Sequence, residues 1–295
     1  MDFVDESKKK EKPFLMKKIR IITDSTADLP ERFQSQVRVV PLTVRFGEKE
    51  YTDGMDIDKQ TFYRMLAESE ALPTTSQATP AQFEAVFDET EAAGEAALVI
   101  TLSSKLSGTY QSACIAAEGR SDIRVVDSLS VATGSGILAE YALRLAERGM
   151  DLDALAAEVT KRRADIRLVA MLDTLEYLKK GGRIPSAVAL AGGILRVKPA
   201  ITIRDGEVAL LGAARGSKKA NNFLNEKVRE TGVDWSMPIL LGYSGLSDEL
   251  LTQYVRDSRL LWEGNAETLD RVQVCSVIGT HVGPGAIVVS YFCRG

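Results

Sequence analysis

ALVITL (Ala97–Leu102), running directly into SSKLSG (Ser103–Gly108), is the stretch that decides the fold class. A short, almost uninterrupted apolar run with β-branched residues reads as a strand covered on both faces, as in a parallel sheet flanked by helices. The hydroxyl-rich, glycine-closed segment after it falls where open α/β sheets bind ligands, at the carboxyl end of a strand. Upstream, Thr79-Pro80-Ala81-Gln82 predicts a helix start. Thr79 stands at the N-cap, Pro80 at the first helical position, and Gln82 completes a capping box. That helix turns Phe83, Val86 and Phe87 inward and stops near Gly94. Further upstream, IRIIT (Ile19–Thr23) reads as a strand ending in Asp24-Ser25-Thr26, and Arg38–Phe46 as another. Asp58 caps a helix with Phe62, Met65 and Leu66 on its apolar face. Downstream, Ile123–Val126 is a strand and Val131–Arg148 a helix closed by Gly149. This alternation predicts a parallel α/β layer up to about residue 160.

The second half has a different rhythm. Leu168–Leu172 is a strand, and a short helix follows through Leu175 and Leu178. Ile201–Ile203, Asp205-Gly206 and Val208–Leu211 spell a hairpin with a type I′ turn. Ser217–Val228 and Asp248–Leu261 read as helices. Val272–Val277 and Ala286–Phe292 read as strands on either side of a glycine-rich loop. The expected fold is α/β with two domains: an N-terminal parallel-sheet α/β domain (18–165) and a C-terminal α+β domain (166–295). A charged leader, 1–17, precedes them and reads as a disordered arm.

Composition narrows the function classes. The 295 residues carry 37 Lys+Arg against 41 Asp+Glu, a formal charge of −4, which argues against a nucleic-acid binder. Cys114, Cys275 and Cys293 are odd in number and widely spaced, so neither a disulfide framework nor a cysteine metal site is expected. A reduced, cytoplasmic location follows as the expectation. One histidine, His281, excludes zinc sites built on several imidazoles and limits any nucleophile–His pair to one partner. The leader lacks the apolar core of a signal peptide, and no apolar run reaches the ~20 residues of a membrane span.

Three polar clusters follow or precede the predicted elements: Asp24-Ser25-Thr26, Thr74-Thr75-Ser76-Gln77 and Ser103–Thr109. They read either as a shared anion pocket or as ordinary caps and turns. Gly134 and Gly136 imitate a dinucleotide fingerprint but lie several residues past the nearest strand, so they read as close-packing positions in a helix. Lys179-Lys180-Gly181-Gly182-Arg183 places Arg183 just past a helix end, either facing an anion or as a surface residue. Gly279-Thr280-His281-Val282-Gly283-Pro284-Gly285 reads as a tight loop that exposes amides and an imidazole titrating near ~6.5. The alternative is a plain turn between two strands.

Taken together, TDSTADLP (Thr23–Pro30), PLTVRFGEKEYTDG (Pro41–Gly54), LPTTSQATP (Leu72–Pro80), LSSKLSGTYQSA (Leu102–Ala113), VVDS (Val125–Ser128), LEYLKKGGRI (Leu175–Ile184) and GTHVGPG (Gly279–Gly285) resemble the DegV family, bacterial fatty-acid-binding proteins of the FakB type. The resemblance implies a long-chain fatty acid in a tunnel between or within the domains. It also implies a separate fatty-acid kinase partner that phosphorylates the presented carboxylate, feeding phospholipid synthesis. No catalysis by the chain itself, no metal and no cofactor are implied, and membrane contact would be transient. By match, Thr75 and Ser104 hydrogen-bond the carboxyl group, Ser76 belongs to the fatty-acid site, Arg183 and His281 lie near the carboxyl end, and Arg215 joins His281 in phosphoryl contact with the kinase. Two departures stand out: the family's TSQPS reads Thr75-Ser76-Gln77-Ala78-Thr79-Pro80 here, and Tyr243 stands where relatives often carry His. Two rival classes remain: a serine hydrolase of acyl esters using Ser104 or Ser107 with His281, which lacks a GxSxG elbow, and a small-molecule sensor using the same pocket.

Overall fold

The computed structural model describes residues 17–184, 197–262, 264–265 and 268–294. The leader reading, apart from Lys17, lies outside them. The first half runs β1 (Ile19–Asp24), α1 (Glu31–Gln34), β2 (Val37–Val40), β3 (Thr43–Phe46), β4 (Lys49–Thr52), α2 (Lys59–Glu68), β5 (Thr74–Ser76), α3 (Pro80–Ala92), β6 (Ala96–Thr101), α4 (Thr109–Ala116), β7 (Ile123–Asp127), α5 (Thr133–Glu147) and α6 (Leu152–Arg162). Strands β2-β1-β6-β7 form a wholly parallel sheet. Every residue of β6 is buried. Successive side chains of a strand point to opposite faces. Ala97 and Val99 accordingly pack with Phe83, Phe87 and Ala113 of α3 and α4. Leu98 and Ile100 pack with Ile137, Leu143, Leu155 and Val159 of α5 and α6. This two-sided cover is why the run carries no polar alternation.

The second half runs β8 (Ile166–Met171), α7 (Glu176–Lys180), β9 (Val197–Arg204), β10 (Glu207–Arg215), α8 (Ser217–Thr231), β11 (Ile239–Tyr243), α9 (Glu249–Asp257), β12 (Asp270–Gln273), α10 (Ser276–Val282) and β13 (Ile287–Phe292). Its sheet order is β10-β9-β8-β13-β11-β12, antiparallel except for the β11–β12 pair. The architecture is therefore a mixed α/β fold with a parallel N-terminal sheet and a mixed C-terminal one. The β9–β10 turn has φ 52° at Asp205 and 84° at Gly206, the two left-handed residues a type I′ turn requires. Leu224, Val228, Tyr254 and Trp262 cover one face of the sheet. Leu168, Ala170, Ile201 and Val288 on the other face join the cluster that holds Val99 and Phe83, so one apolar core spans both halves.

Several expectations need correction. Arg38–Phe46 is not one strand: it breaks at Pro41-Leu42 into β2 and β3, which belong to different sheets. β3 is the centre of a small antiparallel sheet, β4-β3-β5, that the sequence did not announce. The predicted strand Val272–Val277 ends at Gln273, and a helix begins at Ser276. That helix is buried from Ser276 through His281, so it lacks the polar face that betrays a helix in sequence. Tyr63 is buried on α2, whereas Met65 is half-buried. Ser103–Gly108 stays a loop, and α4 starts at Thr109. Gly134 and Gly136 do lie in α5. A Cβ at Gly136 would run into the Asp28 carbonyl, which accounts for glycine there without a dinucleotide.

Candidate functional site

A cavity of about 350 Å³ opens between the two sheets, within the ~300–1,000 Å³ of small-molecule sites. Its walls are aliphatic. Leu42, Leu102 and Val131 come from the first half; Leu168, Ala170, Ile201, Ile203 and Val208 from β8 and the β9–β10 hairpin; Val277, Ile278 and Val282 from α10. The polar lining groups cluster: Thr75, Ser76, Gln77, Ser107, Arg183 and His281. Ser76 and Gln77 are exposed and Thr75 and Arg183 half-buried, so this polar group sits at the mouth.

Four separate segments deliver these polar residues: β5 with the residue after it, the Ser107 loop, the end of α7 and α10. β5 pairs with β3, Val44 opposite Thr75, and the Thr79 capping box fixes the start of α3 just beyond. Gln77 donates from Nε2 to Ser112 Oγ (2.9 Å) and covers Gly108, where a Cβ would collide with it. Ser107 Oγ pairs with Thr109 Oγ1 (2.9 Å). Arg183 donates from Nη1 to the Gly181 carbonyl (2.7 Å) and from Nε to the Leu106 carbonyl (3.3 Å). It thereby ties the end of α7 to the Ser107 loop, and among the described residues its Nη2 has no partner.

His281 sits in the last turn of α10, not in an exposed loop, and is only 9% exposed. Its Nε2 lies 2.9 Å from Thr75 Oγ1. Its Nδ1 is buried, has no hydrogen-bond partner among the described residues and faces Gly181. Burial, reinforced by the nearby Arg183 guanidinium, lowers its pKa to about 4. The imidazole is therefore neutral at physiological pH, which corrects the expectation of titration near neutrality. The glycines around it make room: a Cβ at Gly181 would strike the imidazole, and one at Gly283 would strike the Tyr177 ring. Ser244 anchors the same segment, donating from Oγ to the Gly283 carbonyl (2.6 Å) and accepting from the Ala286 amide (2.8 Å).

The structure thus brings Thr75, Ser76, Arg183 and His281 together and leaves others out. Ser104 is exposed and outside the cavity, and its amide donates to Asp127 Oδ1 (3.2 Å). The serine of this loop that lines the cavity is Ser107. Arg215 is exposed at the end of β10, also outside the cavity lining. The Asp24-Ser25-Thr26 cluster is not part of the pocket either. Asp24 is fully buried and accepts from Thr26 and from the Leu102 amide (2.7 Å), clamping the ends of β1 and β6. Among the described residues, no group of His, Cys, Asp and Glu could hold a metal, and no helix is long and apolar enough to cross a membrane.

The site is thus an apolar cavity between two sheets, with hydroxyls, a neutral imidazole and the Arg183 guanidinium gathered at its mouth. A family profile described as "Uncharacterised protein, DegV family" matches residues 18–294, and the chain belongs to the DegV family. A DegV domain-containing protein of Caldanaerobacter subterraneus subsp. tengcongensis is 36% identical over 280 residues, covering 94% of this chain and 99% of that one. A DegV family protein from Thermus thermophilus, described for its fatty-acid binding, superposes with a TM-score of 0.84 at 33% identity, covering 94% of this chain and 100% of that one. A stearic-acid-binding protein from Eubacterium ventriosum does so with a TM-score of 0.76 at 25% identity, covering 93% and 98%.

Proposed function

We propose that this chain binds one long-chain fatty acid, with the acyl chain in the cavity and the carboxyl group at its mouth. The aliphatic cavity with its polar residues gathered at one place carries this reading, and the fatty-acid-binding relatives support it. Each buried CH₂ contributes about 0.8 kcal/mol, so a chain of roughly sixteen carbons gains ~12 kcal/mol before ordering costs. The mouth then has to orient rather than to attract. Thr75 and Ser107 supply hydroxyl donors, and Arg183 supplies charge through Nη2. A buried N–H without an acceptor is a rare and costly orphan, which favours the proton on His281 Nε2 rather than Nδ1. His281 then donates to Thr75 Oγ1 and leaves the Thr75 hydroxyl hydrogen free for the carboxylate.

The partly exposed mouth suits a protein that presents its carboxylate to a separate fatty-acid kinase, making acyl phosphate for phospholipid synthesis without catalysing a step itself. Arg215 serves there as a kinase contact, outside the lipid site. The hydrolase reading is disfavoured: His281 pairs with a threonine, and among the described residues no carboxylate orients its other nitrogen, as a triad needs. Mass spectrometry of lipid extracted from the purified protein, followed by addition of a fatty-acid kinase and ATP, tests both parts. Bound fatty acid and acyl phosphate are the expected results. Ester hydrolysis lost on His281→Ala, with no bound lipid, would overturn the reading in favour of the hydrolase. Bound lipid without acyl phosphate would leave a sensor or carrier.

A further inference from the structure

Four consecutive residues ahead of His281 have their backbone held by side chains from elsewhere. Lys59 Nζ donates to the Gln273 carbonyl, and Tyr63 OH donates to the Val274 carbonyl (3.1 Å). The Cys275 amide donates to Asp28 Oδ1 (3.0 Å), and the Ser276 amide donates to Asp53 Oδ1 (3.3 Å). Lys59 Nζ also pairs with Asp28 Oδ1 (2.9 Å). Asp28 and Asp53 are buried, the Lys59 ammonium pairs directly with Asp28 only, and each carboxylate keeps a second oxygen without a partner among the described residues. A buried ionic cluster rarely adds net stability over apolar packing, so its use lies in the geometry it imposes. That geometry is the start of α10. Further along α10, the Gly279 backbone lies directly against Phe62 and Tyr63, where a Cβ would come within 2.7 Å of the Phe62 ring and of the Tyr63 hydroxyl. The helix has no room to flex there. Five residues from its start at Ser276, about 7–8 Å along the axis, α10 delivers His281 to Thr75, and its Val277, Ile278 and Val282 reach the cavity wall.

We propose that Asp28, Lys59 and Asp53 are positioning residues for the mouth of the cavity, acting through α10 on His281. The consequence for lipid affinity rests on the fatty-acid reading above; the effect on His281 does not. Asp28 is faced by Lys59 and Tyr63 of α2, by Asp53 after β4 and by the Cys275 thiol before α10. Burial, with Asp53 adding to it against the pull of Lys59, raises the Asp28 pKa to about 6. Protonation there weakens the Lys59 pair and the bond to the Cys275 amide, while His281 itself stays neutral until about pH 4.

His281 is the only histidine, so its imidazole Cε1–H NMR signal needs no assignment. In the lipid-free chain, titrated from pH 8 to pH 5, that signal shifts in one step centred near pH 6. Asp28→Asn abolishes the step and Lys59→Arg retains it. In calorimetry with palmitate, wild-type affinity falls about tenfold more than that of Asp28→Asn between pH 7 and pH 5, the factor for one proton at a pKa near 6. The ionisation of palmitate is common to both proteins and cancels. A flat wild-type signal across pH 6 overturns the proposal, even if Asp28→Asn fails to fold. So does an Asp28→Asn titration that superimposes on the wild type. If the step appears but palmitate binds at no pH, the fatty-acid reading falls and the positioning of His281 stands.

Discussion

Replacing Gly181 by alanine probes the mouth of the cavity without removing a polar side chain. Gly181 has φ −76°, which any residue adopts, and by helix propensity alanine is favoured over glycine by up to about 1 kcal/mol. Backbone considerations alone therefore predict a more stable protein. The space predicts the reverse. The new methyl would overlap His281 Nδ1 and sit 3.0 Å from Cε1 and 3.1 Å from the Tyr177 carbonyl. Overpacking of this kind costs ~1–3 kcal/mol, and the imidazole is the one neighbour able to swing away. Doing so breaks its bond to Thr75, which is worth ~0.5–1.5 kcal/mol. Gly181→Ala should weaken fatty-acid binding about two- to twelvefold in calorimetry and shift the single imidazole NMR signal. Gly182→Ala is the control. Gly182 has φ +67°, and nothing lies within 4 Å of where its methyl group would stand, so it should lose stability by about 1 kcal/mol from left-handed strain with the imidazole signal unmoved. Wild-type affinity and an unshifted signal in Gly181→Ala would refute the steric argument.

Ser107→Ala should weaken fatty-acid binding severalfold, whereas Ser104→Ala should bind as wild type; equal effects in calorimetry would contradict the cavity lining. Thr75→Ala should weaken binding about two- to twelvefold through loss of the hydroxyl, and Thr75→Ser should recover most of it. Thr79→Ala removes the capping box of α3 and should cost about 1 kcal/mol, read as a lower thermal midpoint. In pH-dependent unfolding, the lowered pKa of His281 means its contribution is full above pH ~6.5 and is lost as pH falls toward 4, roughly 2 kcal/mol between pH 7 and pH 5. The raised pKa of Asp28 works in the opposite sense, because the folded chain takes up a proton below about pH 6. His281→Gln removes only the first effect, so its stability should fall less than that of the wild type over that range; identical slopes would show that His281 titrates normally.

Much of the scaffold was legible because its signals are local. The β6 run had no polar alternation, Thr79-Pro80-Gln82 spelled a cap, and Asp205-Gly206 spelled a turn. The site was legible only through family likeness, for physical reasons. β5 is three residues long, with exposed Thr74 and Ser76 around half-buried Thr75, so no periodicity marks it as a strand. α10 is buried all round, so its residues looked like strand and loop. Ser104 and Ser107 differ in the direction the loop turns, not in type; the neighbour of Ser107, Gly108 at the N-cap of α4, was the usable hint. Ile201 and Val277 line the cavity, yet their chemistry is that of any core residue. Asp28 and Asp53 lie in loops, where acids are ordinarily solvated, and only the fold reveals that both are buried.

The apolar cluster that joins Phe83 and Val99 to Leu168, Ile201 and Val288 contains the cavity walls as well. On the proposed fatty-acid reading, a bound acyl chain would be gripped by both sheets at once, and its binding free energy would also hold the halves together. At a thousandfold excess over Kd, such an occupant adds ~4 kcal/mol to the stability of the folded state. Degradation that proceeds through opened chains would slow in the same proportion. Turnover of the protein would then follow the supply of its cargo: abundant where lipid is plentiful, and cleared by proteases where it is scarce.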